Sequence, residues 1–497
     1  MAEVVTLWRE ARGMHQDAGR DRVPIGHVWS LVDFVPRVLG APIRMRGRWK
    51  YHSGALGGAP TAMIYAPFKS GGRLLALYGT TLVDVTTVGS ATVAVGGGVV
   101  ASATNPLFHR DRVIIPAASG AAAASIVTYN GTTFTGAAAP ASALQGRYGT
   151  VFKDRTILAN ANGEESAVAF SKPGDPTIAW DALSKINTSL AVTGVAAQRN
   201  QILAFHEGSV ERIRGTTPPD SSASDPTGDM ILDSLFDRAG CYDSRSIVLW
   251  QDNVIFADAR GVHITDGAIV RNMISQGGME TPWRFYFHGD ESRGSVVSLA
   301  AGIFRDLYMV TMRNQSGPPI TFVCDIPTRQ WFILSNIDAQ AYANSLGASE
   351  LLWGGDVNSL RVLNLSTMFN PDPLVDQIDE DGTPVLPVME TGWTRLGKGE
   401  EGLKKFSDIF VSYETAEATA VGQEIVALSY LHGPASDDHY HLIRNLPHAS
   451  DYTRDRVQFG HTSYGLGVKF AAVDAMKDLR LYDMGVRMEK LEEHRLK

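Results

Sequence analysis

Short strands closed by tight turns recur along most of this chain, and that recurrence constrains its fold more than any other feature. It is plainest in GCYDSRSIVLWQDNVIFADARGVHITDG, Gly240 to Gly267. Val254, Phe256, Val262 and Ile264 fall at alternate positions, the period of a strand with one buried face. Arg260-Gly261 and Asp266-Gly267 are residue types that tolerate positive φ, as tight hairpin turns demand. The stretch reads as a β-meander in which Asp266-Gly267 is a turn without a ligand.

The plan repeats. LLALYGTTLVDVTT (Leu74 to Thr87) and SIVTYNGTTFTG (Ser125 to Gly136) share one turn type, and RYGTVFKDRTILANA, GVAAQRNQILAFHEGSVERIRG, LAAGIFRDLYMVTM and TFVCDIPTRQWFIL continue the series. Units return about every 45–50 residues, the spacing of four-stranded propeller blades. Loops such as TTPPDSSASDPTGD (Thr216 to Asp229) make the period irregular, so the count is about seven, within six to eight. One such meander cannot bury both faces. Radial repetition covers each sheet with its neighbours and leaves only short edges. A doubly wound parallel fold would need long amphipathic helices between strands, and only TLWREARGMHQ and DAQAYANSL have a helical texture.

The series stops near Leu365. NPDPLVDQIDEDGTPVLPVME, with four prolines and a run of acids, reads as a linker. Behind it FSDIFVSYE, EIVALSYL, LGVKFAAV and DMGVRMEK alternate as in a small antiparallel sandwich. The expected architecture is all-β: an N-terminal arm over residues 1–48, a β-propeller over 49–369, a Pro/Asp-rich linker over 370–390 and a C-terminal β domain over 391–497.

Composition narrows the functional classes. A net charge of -8 on 497 residues is not the basic footprint of a duplex-binding protein. Two cysteines, Cys241 and Cys324, exclude a disulfide scaffold and fit assembly in a reducing cytoplasm. No segment reaches the roughly 18 uninterrupted apolar residues of a membrane helix, and the N-terminus has no signal-peptide core. P-loop, HExxH, GxSxG and CxxC signatures are absent, so no catalytic, cofactor or metal residue is assigned. DQIDEDG (Asp376 to Gly382) fails the alternating-ligand spacing of a calcium loop and reads as solvated linker. His439 and His441 share a strand face but lack two further ligands, which makes them surface or interface residues. Trp180, Trp250, Trp331 and Trp353 close or flank strands and read first as packing, second as carbohydrate platforms.

The basic cluster RVLGAPIRMRGRWKYH (Arg37 to His52) places Arg44, Arg46, Arg48 and Trp49 on a strand edge suited to subunit contact. The longer segment HVWSLVDFVPRVLGAPIRMRGRWKYHSG resembles the N-terminal segment of propeller-type bacteriophage tail proteins. Gly240 to Gly267 resembles their mid-propeller segment. AVAFSKPGDPTIAW and ILAFHEGSVERIRG are similar to the preceding blades, and METGWTRLGKGEEGLKKFSDIFVSYE to the entry of their C-terminal sheet domain. That group holds the nozzle or hub proteins of short-tailed phages and propeller-bearing minor tail proteins of longer-tailed ones. This chain departs from it in lacking a long inserted domain assignable to receptor binding.

The resemblance implies a non-enzymatic virion component: a homo-oligomeric ring, a hexamer, around the DNA exit channel, acting in genome retention and ejection. Its implied neighbours are a head-to-tail adaptor or portal ring, tail fibres or other tail proteins, and viral DNA that passes without sequence recognition; no membrane is involved. Such a protein is made in the host cytoplasm and resides in the tail. A net negative wall lets duplex DNA slide where a basic one would hold it, which nominates Asp376, Asp379, Glu380 and Asp381 as channel-facing. The N-terminal arm and C-terminal domain are the two appendages available for heterologous ring contacts. The competing class is a propeller-type glycan-binding module or hydrolase, which needs convergent acids or a metal at the channel mouth.

Overall fold

A computed structural model describes residues 3–8, 14–17, 23, 27–32, 34–36, 42–44, 49–52, 58–87, 93–97, 106–116, 126–135, 146–161, 163–174, 180–181, 183–220, 227–335, 337–344, 350–355, 360–364, 388–391, 404–416, 424–431, 440–447, 453–463, 466–472 and 478–490. The described residues are mostly β, arranged largely in small antiparallel sheets. Sheet I holds Ala62–Phe68, Gly71–Tyr78, Thr81–Asp84 and Val93–Gly97; sheets II, III, IV and V follow as four-stranded meanders over 107–135, 146–187, 194–236 and 248–272. Sheet VI begins with Val296–Phe304, Leu307–Asn314, Ile320–Asp325 and Gln330–Leu334. Sheet VII takes three strands from 341–364 and its outer strand from the other end of the series: Trp49–His52 pairs antiparallel with Leu360–Asn364.

The alternation in Gly240 to Gly267 suggested one buried face, yet Asn253–Asp258 is buried almost throughout and Gly261–Thr265 entirely. Neighbouring sheets cover both faces. One packs Phe205 against Phe256 with ring centroids 4.8 Å apart, and the other side of the strand turns Ile255 and Ala257 into the main core. Comparable apolar seams lie between successive sheets. Leu75, Leu77, Val113 and Ile115 join sheets I and II, and Ile157, Val168, Ile202 and Ile213 join III and IV. Met63 and Leu74 of sheet I meet Ala341 and Ala343 of sheet VII. At roughly 25 cal/mol per Å² of apolar surface, these seams rather than any single sheet hold the repeat together.

Two short helices, α1 (Met273–Gln276) and α2 (Glu280–His288), interrupt the series between sheets V and VI. They are not the ones the sequence suggested. Within TLWREARGMHQ, Thr6 to Trp8 end a strand, Glu3–Trp8, because the edge of Asp478–Lys490 offers it a backbone partner, and Met14, also described, forms a bridge to Val28. DAQAYANSL supplies Ala341–Asn344, the edge strand of sheet VII at the end opposite Trp49–His52. Trp283 fixes α2: its indole Nε1 donates to the Asp258 carbonyl at 2.9 Å and its ring is fully buried.

The C-terminal region forms two sheets over one core, with Tyr413 and Phe470 facing across it. Its attachment was not legible. Ser30–Val32 runs beside Gln330–Leu334 of sheet VI on one side and pairs antiparallel with Val388–Glu390 on the other. Val388–Glu390 pairs in turn with Gly467–Ala472, so sheet VI grows into one nine-stranded sheet. Glu3–Trp8 and Pro42–Arg44 pair with Asp478–Lys490 in the second sheet. Much of the expected arm is thus built into the C-terminal body, and the end of the expected linker is a strand.

Candidate functional site: the turn rim

The loops between the first and second strands of sheets I to VI share a two-residue pattern. Lys69-Ser70, Arg110-Asp111, Lys153-Asp154, Arg199-Asn200, Gln251-Asp252 and Arg305-Asp306 each connect strands paired up to the turn. Arg110, Lys153, Arg199, Gln251 and Arg305 lie at positive φ, between 44 and 56°. The right-handed twist of a hairpin favours such turns, and Asp or Asn at the second position supplies a local acceptor.

Hydrogen bonds link one turn to the next, which sets these loops along one rim. The Lys69 backbone N–H donates to Asp111 Oδ1 at 2.8 Å. The Arg110 guanidinium forks onto Asp154, which also lies 3.2 Å from the buried His109 Nε2. Arg199 Nη2 donates to Asp252 Oδ2 at 2.5 Å, and the Trp250 indole donates to Asp306 Oδ1 at 3.1 Å. Sheets III and IV are joined just behind the rim, where the Ala197 N–H donates to Thr150 Oγ1.

Electrostatically, the rim acids are spent on neighbours. The Arg110 hydrogen bond holds the Asp154 carboxyl down to about 2, and Arg199 lowers Asp252 likewise. No carboxylate pairs with Lys69, Lys153 or Arg305 among the described residues; Lys153 instead donates to the Gly215 carbonyl. The uncompensated turn charges are therefore cationic. Because the Asp154 carboxyl is depressed in the folded chain, its contribution to stability is complete above the ordinary carboxylate range and disappears as pH falls toward about 2. A carboxyl-detected NMR titration should show Asp154 ionising below an unpaired aspartate, and Arg110→Ala should return it to the usual range.

Three histidines sit behind the surface, each against an acid. His109 Nδ1 lies 2.9 Å from Thr156 Oγ1; His206 lies between the Ala191 carbonyl at 2.9 Å and Glu211 Oε2 at 3.1 Å; His263 Nε2 lies 2.8 Å from Asp258 Oδ1. Both ring nitrogens of His109 and His206, and Nε2 of His263, are tied to fixed partners, the arrangement of a structural histidine. Cys241 and Cys324 are buried, and burial pushes both thiols far up, away from nucleophilic use. Among the described residues no group of three His, Cys, Asp or Glu could hold a metal, and no helix is long and apolar enough to cross a membrane.

The residues singled out in sequence scatter. Arg44 ends Pro42–Arg44, opposite Phe34, whereas Trp49 starts the strand opposite Val362 in sheet VII. Arg46, Arg48, Asp376, Asp379, Glu380, Asp381 and His439 lie outside the described residues. Asp266-Gly267 is a turn: Asp266 Oδ1 accepts from Ala268 N and Ile269 N at 2.9 and 3.0 Å, and Gly267 has φ +84°. At the base of Thr216 to Asp229, Asp229 accepts from the backbone N–H groups of Thr216 and Thr217, so this acid closes its own loop. Trp180 and Trp331 are buried packing residues, and Trp250 is half-buried.

The turn pattern itself went unread in the sequence, although it was visible as FKDRTIL, HRDRVII, QRNQIL, WQDNVI and FRDLYMV. Aligning those five strings would have placed the rim.

No family model and no curated protein matches the chain. Among solved structures it is similar to PorZ, an essential bacterial surface component of the type-IX secretion system of Porphyromonas gingivalis, at 12% identity and TM-score 0.40, covering 64% of this chain and 38% of that one. It is also similar to a chain of a mitotic checkpoint complex, at 10% identity and TM-score 0.38, covering 65% of this chain and 94% of that one. The chain thus spans well under half the length of PorZ.

Proposed function

We propose that this chain is a structural protein of a bacteriophage tail, a nozzle or hub, whose copies form a ring around the DNA exit channel. In this reading sheets I to VII are the blades of one closed propeller. Trp49–His52 completes the last blade, and Ala341–Asn344 lies beside Ala62–Phe68 where the circle shuts. The observation that carries the proposal is the nine-stranded sheet. It ties a propeller-like body to a second β body through backbone hydrogen bonds rather than a flexible tether, and a wall assembled from identical copies needs a rigid two-body subunit of that kind. The residue-level resemblance to propeller-type tail proteins supports the same role. Subunits would meet head to tail in a hexamer, stack on an adaptor or portal ring, meet tail fibres, and let DNA pass without reading its sequence. No catalytic step is assigned to the chain, which would be made in the host cytoplasm and reside in the virion.

The direct test is location: purified particles should contain the chain at a fixed multiple per tail, and antibody labelling should mark the distal tail. Its absence from particles sinks the proposal. A second test addresses the conduit. Replacing Asp376, Asp379, Glu380 and Asp381 with lysines is expected to leave assembly intact and slow genome release, with the delay shrinking as salt screens phosphate contacts. Unchanged ejection kinetics at low salt would remove these acids from the channel.

A further inference from the structure

The six-stranded sheet of the C-terminal body ends on each side in a strand with a single strand partner. Across its width run Glu3–Trp8, Asp478–Lys490, Lys404–Ala416 and Thr453–Ser463, each antiparallel to the next. Among the described strands Glu3–Trp8 pairs with Asp478–Lys490 alone, and the eleven-residue strand Thr453–Ser463 pairs with Lys404–Ala416 alone. We infer that Thr453–Ser463 of one copy takes Glu3–Trp8 of the next, so that this sheet continues from copy to copy. The inference rests on the ring reading above and names the contact that joins its subunits.

Strand direction permits the joint. Rotation about an axis lying along the strands leaves their directions unchanged, so the end strands of neighbouring copies meet antiparallel only if an even number of strands spans the sheet. Four do here, and the antiparallel ladder carries on across the joint. The contact is heterologous, one edge meeting a different one, as a closed ring of identical copies requires.

A row of side chains sets the register. Val5 lies opposite Val486, Val486 opposite Ile409 and Ile409 opposite Val457, so one β-branched row crosses the whole sheet. Val486, Ile409 and Val457 are buried in the main core. Setting the neighbour's Val5 opposite Val457 extends this row and keeps the core faces of the two copies aligned. Thr6 then comes opposite Arg456, and Glu3, the one charged residue of its strand, opposite Phe459. No like charges meet. Pairing Thr453–Ser463 with its own copy about Asp455 would instead set Arg454 against Arg456 and acid against acid. An open edge of such length is otherwise a template for aggregation, and the N-terminal strands already extend a sheet within the chain, where Ser30–Val32 joins sheet VI.

The test follows the intact chain over a range of concentrations by light scattering and by hydrogen exchange with peptide-level readout. Oligomers are expected, with protection rising together over Glu3–Trp8 and Thr453–Ser463 as they form. Thr6→Glu, opposite Arg456, should assemble at about fivefold lower concentration than Thr6→Arg, the difference between an attractive and a repulsive cross-strand pair. Comparing the two variants with each other removes any loss of folding that both share. A chain that stays monomeric, oligomers without added protection over these two strands, or equal assembly by the two variants would each overturn the inference. Oligomers joined through other segments would leave the tail reading standing, because location in particles decides that reading separately.

Discussion

Replacing Asp258 with alanine is expected to destabilise the chain by about 3–5 kcal/mol, the cost of removing one partner from a buried charged network. Asp258 ends a strand of sheet V and is 4% exposed. Its Oδ1 accepts from the Arg260 N–H at 2.8 Å and the Gly261 N–H at 3.1 Å, and lies 2.8 Å from His263 Nε2; its Oδ2 accepts from the Gly240 N–H at 3.1 Å. Two of these donors shape the Arg260-Gly261 turn, one orients a buried imidazole, and Gly240 belongs to the crossing from sheet IV. Alanine leaves all four without an acceptor in a site too well packed to admit water freely. Asparagine keeps one oxygen and turns the other into a donor facing the Gly240 N–H, so about half the loss is expected. Urea unfolding of the full chain, followed in the near ultraviolet, measures both. A loss below about 1 kcal/mol for alanine, the value of an exposed polar contact, would mean that the network is not needed to hold sheets IV and V together.

The same site shows what a sequence discloses and what it withholds. The Asp266-Gly267 turn and the Gly261 turn were legible because turn chemistry is local: positive φ and an Asx acceptor need only adjacent residues. The depth of Asp258 was not, since it depends on Gly240 and Trp283, which lie 18 and 25 positions away. Strand spacing suggested about seven units, within six to eight, because most of the meanders are contiguous segments. It could not show that Trp49–His52 closes the seventh sheet, for a four-residue strand carries no sign of a partner more than 300 residues downstream. Ser30–Val32 and Val388–Glu390 were invisible for the same reason. Each has three residues, too few for any period to register, and their ladder exists only because sheet VI has an edge to extend. TLWREARGMHQ was misread for the converse reason: its spacing permits a helix, but pairing with Asp478–Lys490 decides the outcome.

Deleting residues 1–46 is therefore expected to do more than remove an intersubunit contact. Among the described residues, three side chains of the main core leave with the segment: Met14, Val28 and Leu31. At about 1.5–3 kcal/mol each, they sum to roughly the whole stability of an ordinary domain at the lower end of its range. The backbone loss adds to this. Without Ser30–Val32 the nine-stranded sheet parts between Ile333 and Met389, and without Glu3–Trp8 the Asp478–Lys490 strand gains an open edge. The Asp17 cap on α2 also disappears, where its Oδ1 accepts from the Thr281 N–H at 2.6 Å. Among the described residues none of sheets II to IV belongs to the core cluster that these side chains join, and sheet VII retains Trp49–His52. Hydrogen exchange with peptide-level readout should accordingly show protection lost over Val388–Glu390 and Gly467–Ala472 and kept over Gln201–Phe205. The truncated chain should also aggregate through its exposed strand edges. Uniform protection across both regions would mean that the C-terminal body stands without the N-terminal strands. Only in that case could failure of the truncated chain to enter particles be read as the loss of a contact between subunits.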